Sequence, residues 1–178
     1  MNGIDIVKAF EDPKIFGSVI RNQETWANWK VALKAIFGLA MSEDELKVFK
    51  EFTGREKMFD SSFKEVFLII GRRGGKSFIS ALIAVFLAVF KNWKEYLRPG
   101  EIGWIMCIAS DRKQASVVFN YIRAIFRLAI FNGMVVNETR EEIELSNQVT
   151  IAVVTCNYRA LRGYTVLAAI CDEIAFWR

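Results

Sequence analysis

Apolar and polar positions alternate in two distinct rhythms along this chain, and the rhythm changes near residue 60. Before that point the period is helical. In "ETWANWKVALKAIFG", Trp26, Trp29, Leu33, Ile36 and Phe37 recur at three- and four-residue steps, and Gly38 offers a stop. In "SEDELKVFKEFTG", Ser42 and Glu45 have the spacing of a capping box and Gly54 follows the last periodic residue. After residue 60 short continuous apolar runs take over. "EVFLII" (65–70), "IGWIMCIA" (102–109) and "TVLAAICDE" (165–173) read as buried strands, the last ending in two acids. "EIEL" (142–145) and "VTIAVVT" (149–155) read as shorter alternating strands. Between them, a helix is expected from Gly75 to about Asn92. Another is expected through "RKQASVVFNYIRAIFRLAIF", capped by Asp111. Strands alternating with helices predict an α/β fold with a mostly parallel central sheet. The expected organisation is a helical N-terminal segment, 1–60, followed by an α/β core, 61–178.

The most apolar stretch, "FISALIAVFLAVF" (78–90), is 13 residues long, where a membrane-spanning helix needs about 20. It reads as a helix buried on most sides. The opening "MNGIDIVKAFEDPK" carries acids and lacks the long apolar run of a secretory signal. These features predict a cytoplasmic protein.

Composition narrows the chemistry. The 178 residues include no histidine, and the three cysteines, Cys107, Cys156 and Cys171, form no C-x-x-C pair. Imidazole catalysis is excluded and a zinc site of the usual ligands is not expected. Cys107 and Cys171 fall in apolar runs and read as reduced, buried thiols. The net charge of +4 is compatible with a polyanionic partner such as DNA without requiring one.

Two motifs carry the candidate chemistry. "GRRGGKS", Gly71 to Ser77, follows one expected strand and opens a helix. It departs from the usual phosphate-loop pattern, G-x-x-x-x-G-K-[ST], because its first glycine stands one position late, at Gly71 instead of residue 70. The physics is unchanged. Gly71, Gly74 and Gly75 let backbone N–H groups curl toward an anion, with Arg72 and Arg73 between them, and the helix N-terminus adds its positive end. Lys76 would reach the β- and γ-phosphates, and the Ser77 hydroxyl would bind Mg²⁺. "VLAAICDE" supplies the second motif. In nucleotide hydrolases of this type such a strand lies beside the phosphate-loop strand, its Asp (here Asp172) helps hold Mg²⁺, and a following Glu (here Glu173) polarises the attacking water. The bland alternatives are a glycine-rich turn with a chance lysine and a strand whose acids are merely solvated.

Taken together, "GRRGGKS" and "AAICDEIAFW" resemble the ATPase domain of the large terminase subunit of tailed bacteriophages, the motor that packages DNA. "YRALRGYTVLAAICDE", "IASDRKQA" (108–115), "WANWKVALKAIFG" and "FTGRE" resemble further segments of that family. The resemblance implies a P-loop fold of the ASCE type, a three-layer sandwich, with ATP and Mg²⁺ at the site. It implies that Arg72 touches the γ-phosphate, with Arg73 able to share that work. It makes Arg162 the candidate arginine finger supplied to a neighbouring subunit, with Arg159 as the rival and a surface ion pair as the alternative role. Arginine suits such roles because its fork stays charged and pairs bidentately with phosphate. Gln23 and Arg55 are the candidates for contact with adenine, while Trp26, Trp29 and Trp93 read as core or interface anchors. The partners implied are double-stranded DNA, a terminase small subunit, a portal protein and further copies of the chain in a ring. The implied location is the cytoplasm of an infected or prophage-carrying bacterium. The family's coupling motif and nuclease domain lie beyond Glu173, so a C-terminally truncated core without nuclease activity is expected. Two other readings remain: a non-catalytic remnant that keeps the fold, and a helicase-like ATPase acting on nucleic acid.

Overall fold

The computed structural model describes residues 3–59, 61–156 and 163–177. The chain divides into two compact units, with the change at Gly71/Arg72.

The first unit, residues 4–71, is helical. Helix α1 (Ile6–Glu11) is capped by Asp5, whose carboxylate accepts from the Lys8 amide. Helix α2 (Ala27–Phe37) ends at Gly38 and α3 (Glu43–Thr53) at Gly54, both glycines left-handed. The Ser42–Glu45 capping box is formed in both directions. Phe10, Phe16, Ile15, Ile6 and Leu33 are the largest fully buried side chains of this unit. Trp26 packs edge-on against Phe10 at 6.3 Å.

The second unit contains helix α4 (Lys76–Phe90), strand β1 (Gly103–Ala109), helix α5 (Arg112–Phe126) and strands β2 (Val135–Glu138), β3 (Glu142–Leu145), β4 (Val149–Thr155) and β5 (Thr165–Cys171). The sheet order is β2-β3-β4-β1-β5. β1 pairs in parallel with β4 on one side and β5 on the other, while β3 runs antiparallel to both β2 and β4. Four of the five strands therefore point the same way, as expected of a mostly parallel α/β sheet. α4 and α5 pack on each other and on β1 and β4. α4 buries Ile79, Ala81, Leu82, Ala84, Val85, Phe86, Ala88, Val89 and Phe90, so its apolar character all round is explained by burial inside the unit. Among the described residues no helix is long and apolar enough to cross a membrane.

Three expectations need correction. The run 65–70 is not a buried strand. It forms no ladder, and Phe67 and Ile69 are 79% and 102% exposed. An apolar run becomes a strand only when a neighbour offers backbone partners, and none of the five strands of the sheet pairs with it. Within the second unit the one neighbour of β5 is β1. The helix after Asp111 is shorter than expected. Asp111 does cap it, accepting from the Lys113 and Gln114 amides, but α5 ends at Phe126 and a separate 3-10 turn covers Ala129–Phe131. The run 165–173 gives a strand but not a buried one: β5 lies at the sheet edge with no residue fully buried, so Cys107 of β1 is buried whereas Cys171 is only half-buried; all three thiols are free. Strand β2 was not anticipated; "VVNE" is too short and too polar to stand out, and its pairing with β3 defines it.

Candidate nucleotide site

The helix following "GRRGG" begins at Lys76, and its N-cap is Gly75 at φ 81, ψ 7. That left-handed backbone costs glycine nothing and any side chain something. Gly75 brings no capping side chain. The Ile79 amide bonds to the Gly75 carbonyl, while the amides of the preceding first turn have no intrahelical acceptor. The terminus carries the positive end of the helix dipole. Arg73 is also left-handed, φ 64, an uncommon conformation for a non-glycine residue. Gly71, Arg72, Arg73 and Gly74 are exposed; Ser77 sits beside Lys76 in the first turn of α4.

The acid pair arrives from the opposite end of the unit's sequence. β5 leaves the sheet at Cys171, and the Asp172 amide donates to the Ile108 carbonyl of β1 at 2.8 Å. This last rung fixes Asp172 at the carboxyl end of two parallel strands, where open α/β sheets place ligands. Glu173 then turns left-handed, φ 54, ψ 44, and a 3-10 turn follows over Ile174–Phe176. The turn brings the Trp177 indole back so that Nε1 donates to the Asp172 carbonyl at 3.0 Å.

Lys76 joins the two motifs across 97 residues of sequence. Its Nζ donates to Glu173 Oε1 at 2.8 Å and lies 3.3 Å from Asp172 Oδ1. The side chains are 34% (Lys76), 18% (Asp172) and 32% (Glu173) exposed, so the cluster is partly shielded. The hydrogen bond to Glu173, reinforced by Asp172 and opposed by partial burial, holds the Lys76 ammonium above its ordinary pKa. The two carboxylates that Lys76 brings together are hard oxygen donors of the kind Mg²⁺ takes, one or two at a time, with water and phosphate oxygens completing its shell. No group of three or more His, Cys, Asp or Glu suited to a metal occurs among the described residues, so an all-protein cage is not what these side chains form.

Of the site residues expected from sequence, Lys76, Asp172 and Glu173 are brought into direct contact. Arg162 and its rival Arg159 lie outside the described residues. Gln23 donates through Nε2 to the Phe10 carbonyl at 3.4 Å, and its Oε1 is buried without a partner. Arg55 has its guanidinium over the rings of Phe59 and Phe63, at 5.7 and 5.4 Å. It lines an open cleft of about 640 Å³ in the first unit, together with Trp29, Phe49 and the run 65–71. Trp93 is anchored through Nε1 to the Leu87 carbonyl. Sequence reasoning missed Trp177. Its only signal was a tryptophan shortly after an acid pair, and neither periodicity nor spacing gives that a meaning.

No curated protein and no solved structure matches the chain. A family model does: that of the terminase large subunit, ATPase domain, which matches residues 50–178. The match runs through both motifs and every strand of the sheet, and by it the chain belongs to the terminase large subunit ATPase-domain family, whose general role is that of a viral DNA-packaging motor.

Proposed function

We propose that this chain carries a Mg·ATP-hydrolysing site of an ASCE-type P-loop, three-layer fold, and that hydrolysis drives double-stranded DNA into a procapsid. The observation that carries the reading is the Lys76 ammonium held against both Asp172 and Glu173. It brings the only glycine-rich lysine loop of the sequence to the acids expected to serve the same reaction.

In this reading Gly71 to Ser77 cradle the phosphates through backbone N–H groups. Lys76 neutralises charge on the β- and γ-phosphates. Ser77 and Asp172 hold Mg²⁺, which supplies charge neutralisation at the transferred phosphoryl group. Glu173 orients a water and accepts its proton as the water attacks. Arg72, with Arg73 beside it, stabilises the γ-phosphate within the subunit. Arg162 acts on a neighbour's site as the finger, for which about 10³-fold or more in rate is the usual scale. Full activity then needs a ring of subunits on a portal, with a terminase small subunit and DNA as partners, in the cytoplasm of the infected host. Gln23 and Arg55 remain the candidates for the adenine.

Calorimetry of Mg·ATP with the 178-residue chain tests the site. Saturable binding is expected, and Lys76→Ala is expected to abolish it. A folded chain that binds no nucleotide contradicts the reading. Binding without turnover, with or without DNA, identifies a nucleotide-binding module in place of a working motor domain.

A further inference from the structure

We propose that Lys76 is the resting counter-cation of the Asp172–Glu173 pair and that this sets an order of loading, phosphate first and divalent cation second. The inference rests on the nucleotide-site reading above and adds to it a gate on the metal. A single ammonium lies 2.8 Å from Glu173 Oε1 and 3.3 Å from Asp172 Oδ1. It therefore occupies the space between the carboxylates that a cation shared by them would take. A divalent ion arriving there meets one positive charge already in place, in a partly shielded cluster where repulsion is less screened than in water.

The parts differ in how readily they move. Asp172 is fixed from two sides, by its amide on the Ile108 carbonyl and by the Trp177 indole on its own carbonyl. Glu173 is held on a left-handed backbone between that anchor and the 3-10 turn. Lys76 carries its charge on a flexible four-carbon stem at the first turn of α4. An anion at that turn offers the ammonium new acceptors at the positive end of the helix. Once the ammonium leaves the acids, both carboxylates are released to a metal ion and to water. The pair thus stays half-neutralised, with the shared position taken by the ammonium, until a phosphate arrives.

The test needs no nucleotide and no turnover. Mn²⁺ is titrated into the chain and free Mn²⁺ is read by its electron paramagnetic resonance signal. The wild-type chain is compared with Lys76→Met, which keeps the stem and removes the charge. A charge at this distance changes such equilibria by about 10- to 1000-fold, so Lys76→Met is expected to bind Mn²⁺ at least about tenfold more tightly. Asp172→Asn added to Lys76→Met is expected to remove the gain. Lys76→Gln serves in its place if circular dichroism shows that Lys76→Met does not fold. Equal Mn²⁺ affinity in wild type and the neutral variant, whether both bind or neither does, overturns the gate. A failure of the nucleotide reading shows separately, as absence of Mg·ATP binding by the wild type.

Discussion

The runs 65–70 and 103–109 are chemically alike, yet the protein treats them oppositely. Both are short, continuous, rich in β-branched and aromatic residues, and both suggest buried strands. β1 is paired on both sides, and Ile105 is fully buried. The other run forms neither helix nor strand, with Ile69 fully exposed. Composition decides whether a segment can live in a sheet; hydrogen-bonding neighbours decide whether it does. The same contrast separates the two halves of the site. Asp172 and Glu173 inherit their position from a strand locked into the sheet. Lys76 inherits its position from the first turn of α4.

The contrast can be broken most directly in the core. Ile105→Ala should cost about 2–5 kcal/mol, the usual range for a fully buried isoleucine, whereas Ile69→Ala should change stability by less than about 0.5 kcal/mol. Urea melts of both variants would show it, and equal losses would mean that 65–70 is packed like a strand. The two glycines that flank these runs give a second, smaller pair. A Cβ on Gly103 would stand 2.3 Å from Leu167 Cδ1 of the neighbouring β5, while one on Gly71 meets nothing within 4 Å. Gly103→Val should therefore destabilise by about 1–3 kcal/mol through overpacking. Gly71→Ala should leave the melting temperature unchanged, so any loss of nucleotide binding in it would report on the loop itself.

Amide hydrogen exchange sharpens the same point without mutation. Amides of Ile105 to Ile108 should exchange only through global unfolding, and those of Phe67 to Ile70 should exchange orders of magnitude faster. Comparable protection in the two would overturn the contrast.

A further effect is confined to alkaline solution. Burial, with the neighbouring Cys171 adding to it, pushes the Cys107 thiol of β1 up to about 12. An unfolded thiol ionises near pH 8.5 (about the free value). The unfolded chain thus loses this proton first, and stability falls as pH rises from about 9 toward 12. Cys107→Ala should flatten that fall in denaturant midpoints measured across the range. No corresponding change is expected from Ile69→Ala.

Much of the molecule could be read from local pattern. The Ser42–Glu45 box, the Gly38 and Gly54 stops, the Asp111 cap and the strands 103–109, 142–145 and 149–155 form as expected, and 165–171 forms a strand but an unburied one at the sheet edge. Each depends on neighbours close in sequence or on an apolar run that found strand partners. The acids at the end of β5 and the lysine after the glycines were legible for the same reason, because residue type and spacing carry their chemistry.

What sequence alone determined, then, is the set of elements and the identity of the charged groups. Tertiary structure decided which apolar runs found partners, leaving 65–70 outside the ladder. It decided that α5 stops at Phe126, that Trp177 folds back on Asp172, and that one ammonium sits between two carboxylates 96 and 97 residues away. The reason is physical. Helix caps and apolar periodicity are short-range properties of the chain, whereas strand pairing and ion pairing depend on groups that only folding brings within about 3 Å of one another.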